Sequence, residues 1–232
     1  ASDVYKRQMY DYNRGCCDNI CYSGVADIFR LPKFSLSFFR TQIAEGSMLP
    51  SGKMPYEVFI PAYRDEILSD TVMVYGNVDE VELVLNGKTI RRQTADKGPD
   101  SDYIPVPNGG NGKNLHFPPF TFYGVPKERG VLKAVGYHQG KKVAEYTVKT
   151  PGVPERLDIT YFESGKPATK NDLLIVYVRM LDKQGVLCPV NGIPVELSVQ
   201  GGEIVGPTSY PLEAGVASFL VRTGEISKIN IR

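Results

Sequence analysis

The feature that most constrains this chain is a strand-turn-strand pattern that occurs twice in its middle part. Val81, Leu83 and Leu85 alternate with Glu80 and Glu82, and Asn86-Gly87 follows at once. Such alternation gives a strand one apolar face, and Asn-Gly supplies two residues that tolerate the positive φ angles of a type I′ turn. A second pattern runs from Val131 to Tyr137, turns at Gln139-Gly140 and returns from Lys141 to Val148. The sequence therefore predicts antiparallel β-hairpins.

Gly and Pro residues divide the chain into three blocks. Residues 55–150 and 152–232 each contain several short strand patterns, and Pro151-Gly152-Val153-Pro154 is a short, stiff linker between them. Short strands at this spacing are typical of sandwiches. We therefore predict a mainly β fold with two immunoglobulin-like β-sandwiches, one in each block, the second of them truncated before its last strand.

The first block, residues 9–46, ends in a helical pattern. Between Pro32 and Gln42, Phe34 and Phe38 recur at i, i+4 spacing, and Pro32 suits a first helical turn. A helix of about a dozen residues is marginal in water on its own, so its apolar face has to dock on a larger body. We predict that this partner lies outside the chain.

An irregular stretch, Asp96 to Pro119, separates the two hairpins. It contains Asn108-Gly109-Gly110-Asn111-Gly112 and Pro118-Pro119, and it is too long for a simple connection. We expect an exposed loop, with function and disorder as the two alternatives.

Composition excludes several classes of partner. Lys and Arg number 27 against 26 Asp and Glu, and they form no basic stripe, so a nucleic acid partner is not expected. The aliphatic runs are far shorter than the roughly 20 residues of a membrane-spanning helix, so membrane insertion is not expected. Cys16, Cys17 and Cys21 lack the paired C-x2-C spacing of a zinc site, and no metal or cofactor is predicted.

The sequence contains no recognisable catalytic arrangement. His116 and His138 are its only histidines, and neither has a Ser or Cys at motif spacing. Glu80 and Glu82 share one strand face, which we interpret as a solvated surface on which Lys88 and Arg91 of the return strand balance their charge. We assign no catalytic residue.

Two motifs near the N-terminus, together with later stretches at 79–88, 118–122 and 130–137, carry a resemblance to a known family. The two motifs are Asp11-Tyr12-Asn13-Arg14-Gly15 and Ser23-Gly24-Val25-Ala26-Asp27-Ile28-Phe29-Arg30-Leu31-Pro32-Lys33-Phe34. They resemble the last strand-to-helix segment of the catalytic β/α barrel in bacterial β-galactosidase-like enzymes of glycoside hydrolase family 2. The resemblance implies that residues 9–46 are the C-terminal remnant of such a barrel, a loop followed by its last helix.

The same resemblance implies the function. In that family two glutamates act as acid/base and nucleophile, both on barrel strands that precede the part matched here. The chain is therefore expected to be an inactive C-terminal fragment of a retaining glycosidase that acts on terminal β-linked sugars. Carbohydrate would be its partner, bound through the missing barrel, and no cofactor is implied. A periplasmic or extracellular location in a bacterium is expected.

Asp11, Asn13 and Arg14 would lie at the C-terminal face of the barrel, where active sites of this fold are found. Short polar side chains and a bidentate guanidinium suit sugar hydroxyls, so these three are the predicted substrate-binding residues. The alternative is that Asp11 and Arg14 pair to stiffen a loop. Residues 1–8 resemble a translated sequencing adaptor and are set aside. The rival function is a non-catalytic carbohydrate-binding or adhesion protein of stacked immunoglobulin-like domains.

Overall fold

A computed structural model of the chain describes residues 24–26, 29–62, 70–96, 115–162, 168–224 and 228–231. The chain divides into two compact units, Ala1–Lys149 and Thr150–Arg232. In the first unit the elements are α1 (Phe34–Thr41), β1 (Met48–Leu49), β2 (Gly52–Lys53), β3 (Val58–Phe59), β4 (Val72–Gly76), β5 (Glu80–Leu85), β6 (Lys88–Thr94), β7 (Phe120–Phe122), β8 (Val131–His138) and β9 (Lys141–Lys149). The second contains β10 (Pro154–Tyr161), β11 (Leu173–Asp182), β12 (Pro194–Gln200), β13 (Glu203–Ile204), β14 (Ser209–Pro211), β15 (Val216–Arg222) and β16 (Lys228–Ile231). The predicted mainly β fold is confirmed.

The first unit is a sandwich of two antiparallel sheets, with strand orders β6-β5-β8-β9 and β3-β4-β7. The alternation in β5 places Val81, Leu83 and Leu85 in the core, each at most 2% exposed. Across from them the other sheet contributes Val74, Phe120 and Phe122. The core therefore lies between the sheets, as the period-two pattern predicts.

Both predicted hairpin turns are present. Asn86 and Gly87 have φ angles of 50° and 80°, and the flanking Leu85 and Lys88 are paired. Gln139 and Gly140, at 50° and 76°, repeat this geometry. These left-handed values explain the choice of Asn-Gly, because a β-branched residue is strained there.

The second unit has sheet orders β10-β11-β15-β13 and β14-β12-β16. Lettered in chain order from β10 as strand A, the first sheet has the order A-B-F-D and the second has the order E-C-G. Its core contains Val176, Val178 and Phe219 from one sheet and Val195 and Leu197 from the other. This unit is therefore a β-sandwich with its core between the two sheets.

Two local predictions are wrong. Pro32 does not open the helix, because it forms an isolated β-bridge with Ala26, and α1 begins two residues later. On the face of β5, Glu80 pairs with Arg92 rather than with Lys88 or Arg91. An irregularity in the β5–β6 register after Leu83, typical of a β-bulge, shifts the pairing by one residue and sets Glu82 opposite Arg92.

Candidate functional site

Helix α1 packs on the outer face of the β3-β4-β7 sheet. The ring of Phe34 meets that of Phe59 edge-on with centroids 5.6 Å apart, and Phe38 meets Tyr75 in the same way at 5.0 Å. Phe59 and Tyr75 are cross-strand partners, and Phe59 is only 4% exposed. The prediction that the helix finds its partner outside the chain is therefore wrong: the sandwich itself presents an aromatic surface to it.

Polar contacts fix the helix at its C-terminal end. The guanidinium of Arg40 pairs with the carboxylate of Glu57, its Nε lying 3.0 Å from Oε2. Gln42, which caps the helix, donates from Nε2 to the carbonyl of Phe117 at 2.9 Å and accepts at Oε1 from the Phe117 N–H at 3.1 Å. The side-chain amide of Gln42 thus forms with the main chain of Phe117 the same pair of hydrogen bonds that a neighbouring β-strand would form.

Asn77 is the buried centre of this arrangement, with 3% of its surface exposed. Its Oδ1 accepts the N–H of Glu57 at 2.6 Å, and its Nδ2 donates to the carbonyls of Ile43 and Pro55, both at 3.0 Å. One side chain in the β4–β5 turn therefore ties the segment after α1 to the segment before β3. We call the set Arg40, Gln42, Glu57, Asn77 and Phe117 the joint.

Sequence reasoning missed the joint because its contacts join distant parts of the chain. Gln42 and Phe117 are separated by 75 positions, and Asn77 and Ile43 by 34. Asn77 lies shortly before a strand, and Asn is common in turns, so the sequence indicates only an ordinary turn residue. The only available signal was the aromatic pair Phe59 and Tyr75 at positions that alternate with core residues.

The predicted substrate-binding residues Asp11, Asn13 and Arg14 lie outside the described part of the chain, so their role stays a prediction. So do Cys16, Cys17 and Cys21, and most of the loop from Asp96 to Pro119. The two ends of that loop are held together. The N–H of Asp96 donates to the carbonyl of Pro119 at 2.8 Å, and the Thr121 hydroxyl donates to the Asp96 carboxylate at 2.6 Å.

The carboxylates on the face of β5 are suited to a structural role. Glu82 accepts hydrogen bonds from the hydroxyls of Thr89 and Tyr137, both at 2.6 Å. These bonds, that of Thr89 above all, lower the pKa of Glu82 below its ordinary value. The guanidinium of Arg92, which pairs with Glu80, also stacks 3.8 Å from the ring centroid of Tyr137. A carboxylate that is ionised and hydrogen-bonded to two hydroxyl groups cannot act as a general acid near neutral pH.

Both histidine rings are packed against aromatic neighbours. His116 meets Phe117 edge-on at 4.5 Å, and His138 stacks on Tyr56 at 5.0 Å with its Nδ1 3.1 Å from Asp79. Within the described ranges, no group of three or more His, Cys, Asp or Glu residues is arranged to hold a metal ion. Nor does any described helix have the length and apolar character to cross a bilayer.

Comparison with known proteins gives this architecture a context. Residues 69–144 match a family model described as a domain of unknown function (DUF4982). The chain is 33% identical over 230 residues to a β-galactosidase of Thermoanaerobacter pseudethanolicus, covering 92% of this chain and 29% of the relative. It is 30% identical over 110 residues to a β-galactosidase of Rhizobium radiobacter, covering 47% of this chain and 78% of that one.

The fold is also found in solved structures. A β-glucuronidase from glycoside hydrolase family 2 superposes with a TM-score of 0.72 at 20% identity, over 92% of this chain and 22% of the other. This chain therefore shares its fold with part of that enzyme. The chain belongs to glycoside hydrolase family 2. It spans about 29% of the length of the first curated relatives it matches.

Proposed function

We propose that this chain is the C-terminal, non-catalytic part of a retaining β-glycosidase, and that its first sandwich supports the end of the catalytic barrel. The observation that carries the proposal is the joint. Asn77, Gln42 and the Arg40–Glu57 pair hold α1 and the segment after it on the sandwich through hydrogen bonds, while Phe34 and Phe38 hold it by packing.

Support of this kind is important for activity because the rate of catalysis depends on the positions of the groups in the active site. A misplacement of about 1 Å can cost a hundredfold in rate, so elements at the edge of an active site need a rigid backing. In the proposed arrangement, α1 is the last barrel helix and the sandwich is its backing. The segment before α1 carries Asp11, Asn13 and Arg14, which we propose as sugar-contacting residues on the barrel face.

The proposed substrate class is a terminal β-linked sugar. It rests on relatives that are named β-galactosidases and on the motifs around Asp11 and Asp27. Retaining hydrolysis needs two carboxyl groups roughly 5–5.5 Å apart, one protonated and one ionised. We propose that neither half of the pair lies in this chain. Glu80 and Glu82 are unsuited to the role because they are engaged by Arg92 and by hydroxyl groups.

The test is an assay of the purified chain with chromogenic β-galactoside, β-glucuronide and β-mannoside. We expect no turnover above buffer, with the full-length β-galactosidase of Thermoanaerobacter pseudethanolicus as the positive control. Turnover that disappears in Asp11→Ala or Asp27→Ala would overturn the proposal. Oligosaccharide binding without turnover, measured by calorimetry, would instead favour the rival carbohydrate-binding or adhesion function.

A further inference from the structure

No further inference is drawn: the strongest candidate, the apolar outer face of β11 and β15, on which Leu173 is 54% exposed and Ile175 pairs with Leu220, carries none because nothing in the part of the chain that the structure describes shows what covers it.

Discussion

At the scale of single residues, Asn77 connects two segments of the main chain through one buried side chain. Its amide satisfies one N–H and two carbonyl groups, that of Ile43 after α1 and those of Pro55 and Glu57 before β3. Since a polar group shielded from water costs free energy when it has no partner, one side chain here supplies the partner for three part-buried backbone groups. Its contribution comes from geometry that no local pattern encodes.

Asn77→Ala is expected to lower the free energy of unfolding by about 2–3 kcal/mol, because three part-buried hydrogen bonds of one buried side chain are lost together. Asn191→Ala is the control. Asn191 accepts one backbone N–H, that of Ala214, at 2.7 Å in an exposed turn, and its loss should cost less than about 1 kcal/mol. Urea unfolding of both variants gives the comparison. Equal losses would mean that Asn77 is not a buried centre of the joint.

At the scale of elements, sequence patterns predict some of the strands and contacts but not others, and the difference has physical reasons. The hairpins β5–β6 and β8–β9 were predictable because alternation and Asn-Gly or Gln-Gly turns are local signals. The partners of Glu80 and Glu82 were not, since the register irregularity after Leu83 leaves no mark in composition. The docking of α1 was missed because it depends on Phe59 and Tyr75, which approach the helix only after the sheet has formed.

The docking of α1 can be tested on two adjacent phenylalanines of the same helix. Phe38 contacts Tyr75, whereas Phe39 is 50% exposed. Phe38→Ala should cost about 2 kcal/mol and should speed hydrogen exchange across Phe34–Thr41. Phe39→Ala changes helix propensity equally and should cost less than about 1 kcal/mol. If the two variants exchange alike, the helix does not dock through the face described.

At the scale of the whole molecule, stability rests on ionised carboxylates as well as on the two cores. In the part of the chain that the structure describes, five carboxylates have lowered pKa values because hydrogen bonds favour their charged form: Asp79, Glu82, Glu145, Asp172 and Asp182. Glu82 owes its shift chiefly to Thr89, and Asp79 to the N–H of Gln139. Each group stabilises the folded chain only while it is ionised.

The pH dependence follows from the sign of these shifts. A group whose pKa falls on folding contributes stability above its unfolded value, about 3.9 for Asp and 4.3 for Glu, and loses it as the pH falls through the folded value. The free energy of unfolding in urea should therefore be maintained above about pH 5 and decline below about pH 4. Glu82→Gln should show a shallower decline. Stability that rises on acidification would contradict this assignment.

In the candidate site too, some residues are predicted by a local sequence motif and others are recognisable only from contacts between distant parts of the chain. The residues of the predicted sugar-binding set, Asp11, Asn13 and Arg14, came from a motif, and nothing in the described part of the chain bears on them. The joint is recognisable only from the contacts in the folded structure. Glu80 and Glu82 were recognised as a structural surface because acidic residues at period two, followed by basic ones, indicate a solvated sheet face.

The hydrogen bonds of the joint affect which residues in this part of the molecule can be substituted. Asn77 and Gln42 bond main-chain atoms of Glu57, Ile43, Pro55 and Phe117, and every residue type except proline offers those N–H groups. Substitution at the contacted positions therefore leaves the hydrogen bonds available, provided that the two amide side chains remain. Such a contact tolerates substitution on the main-chain side while it requires the amide side chain on the other.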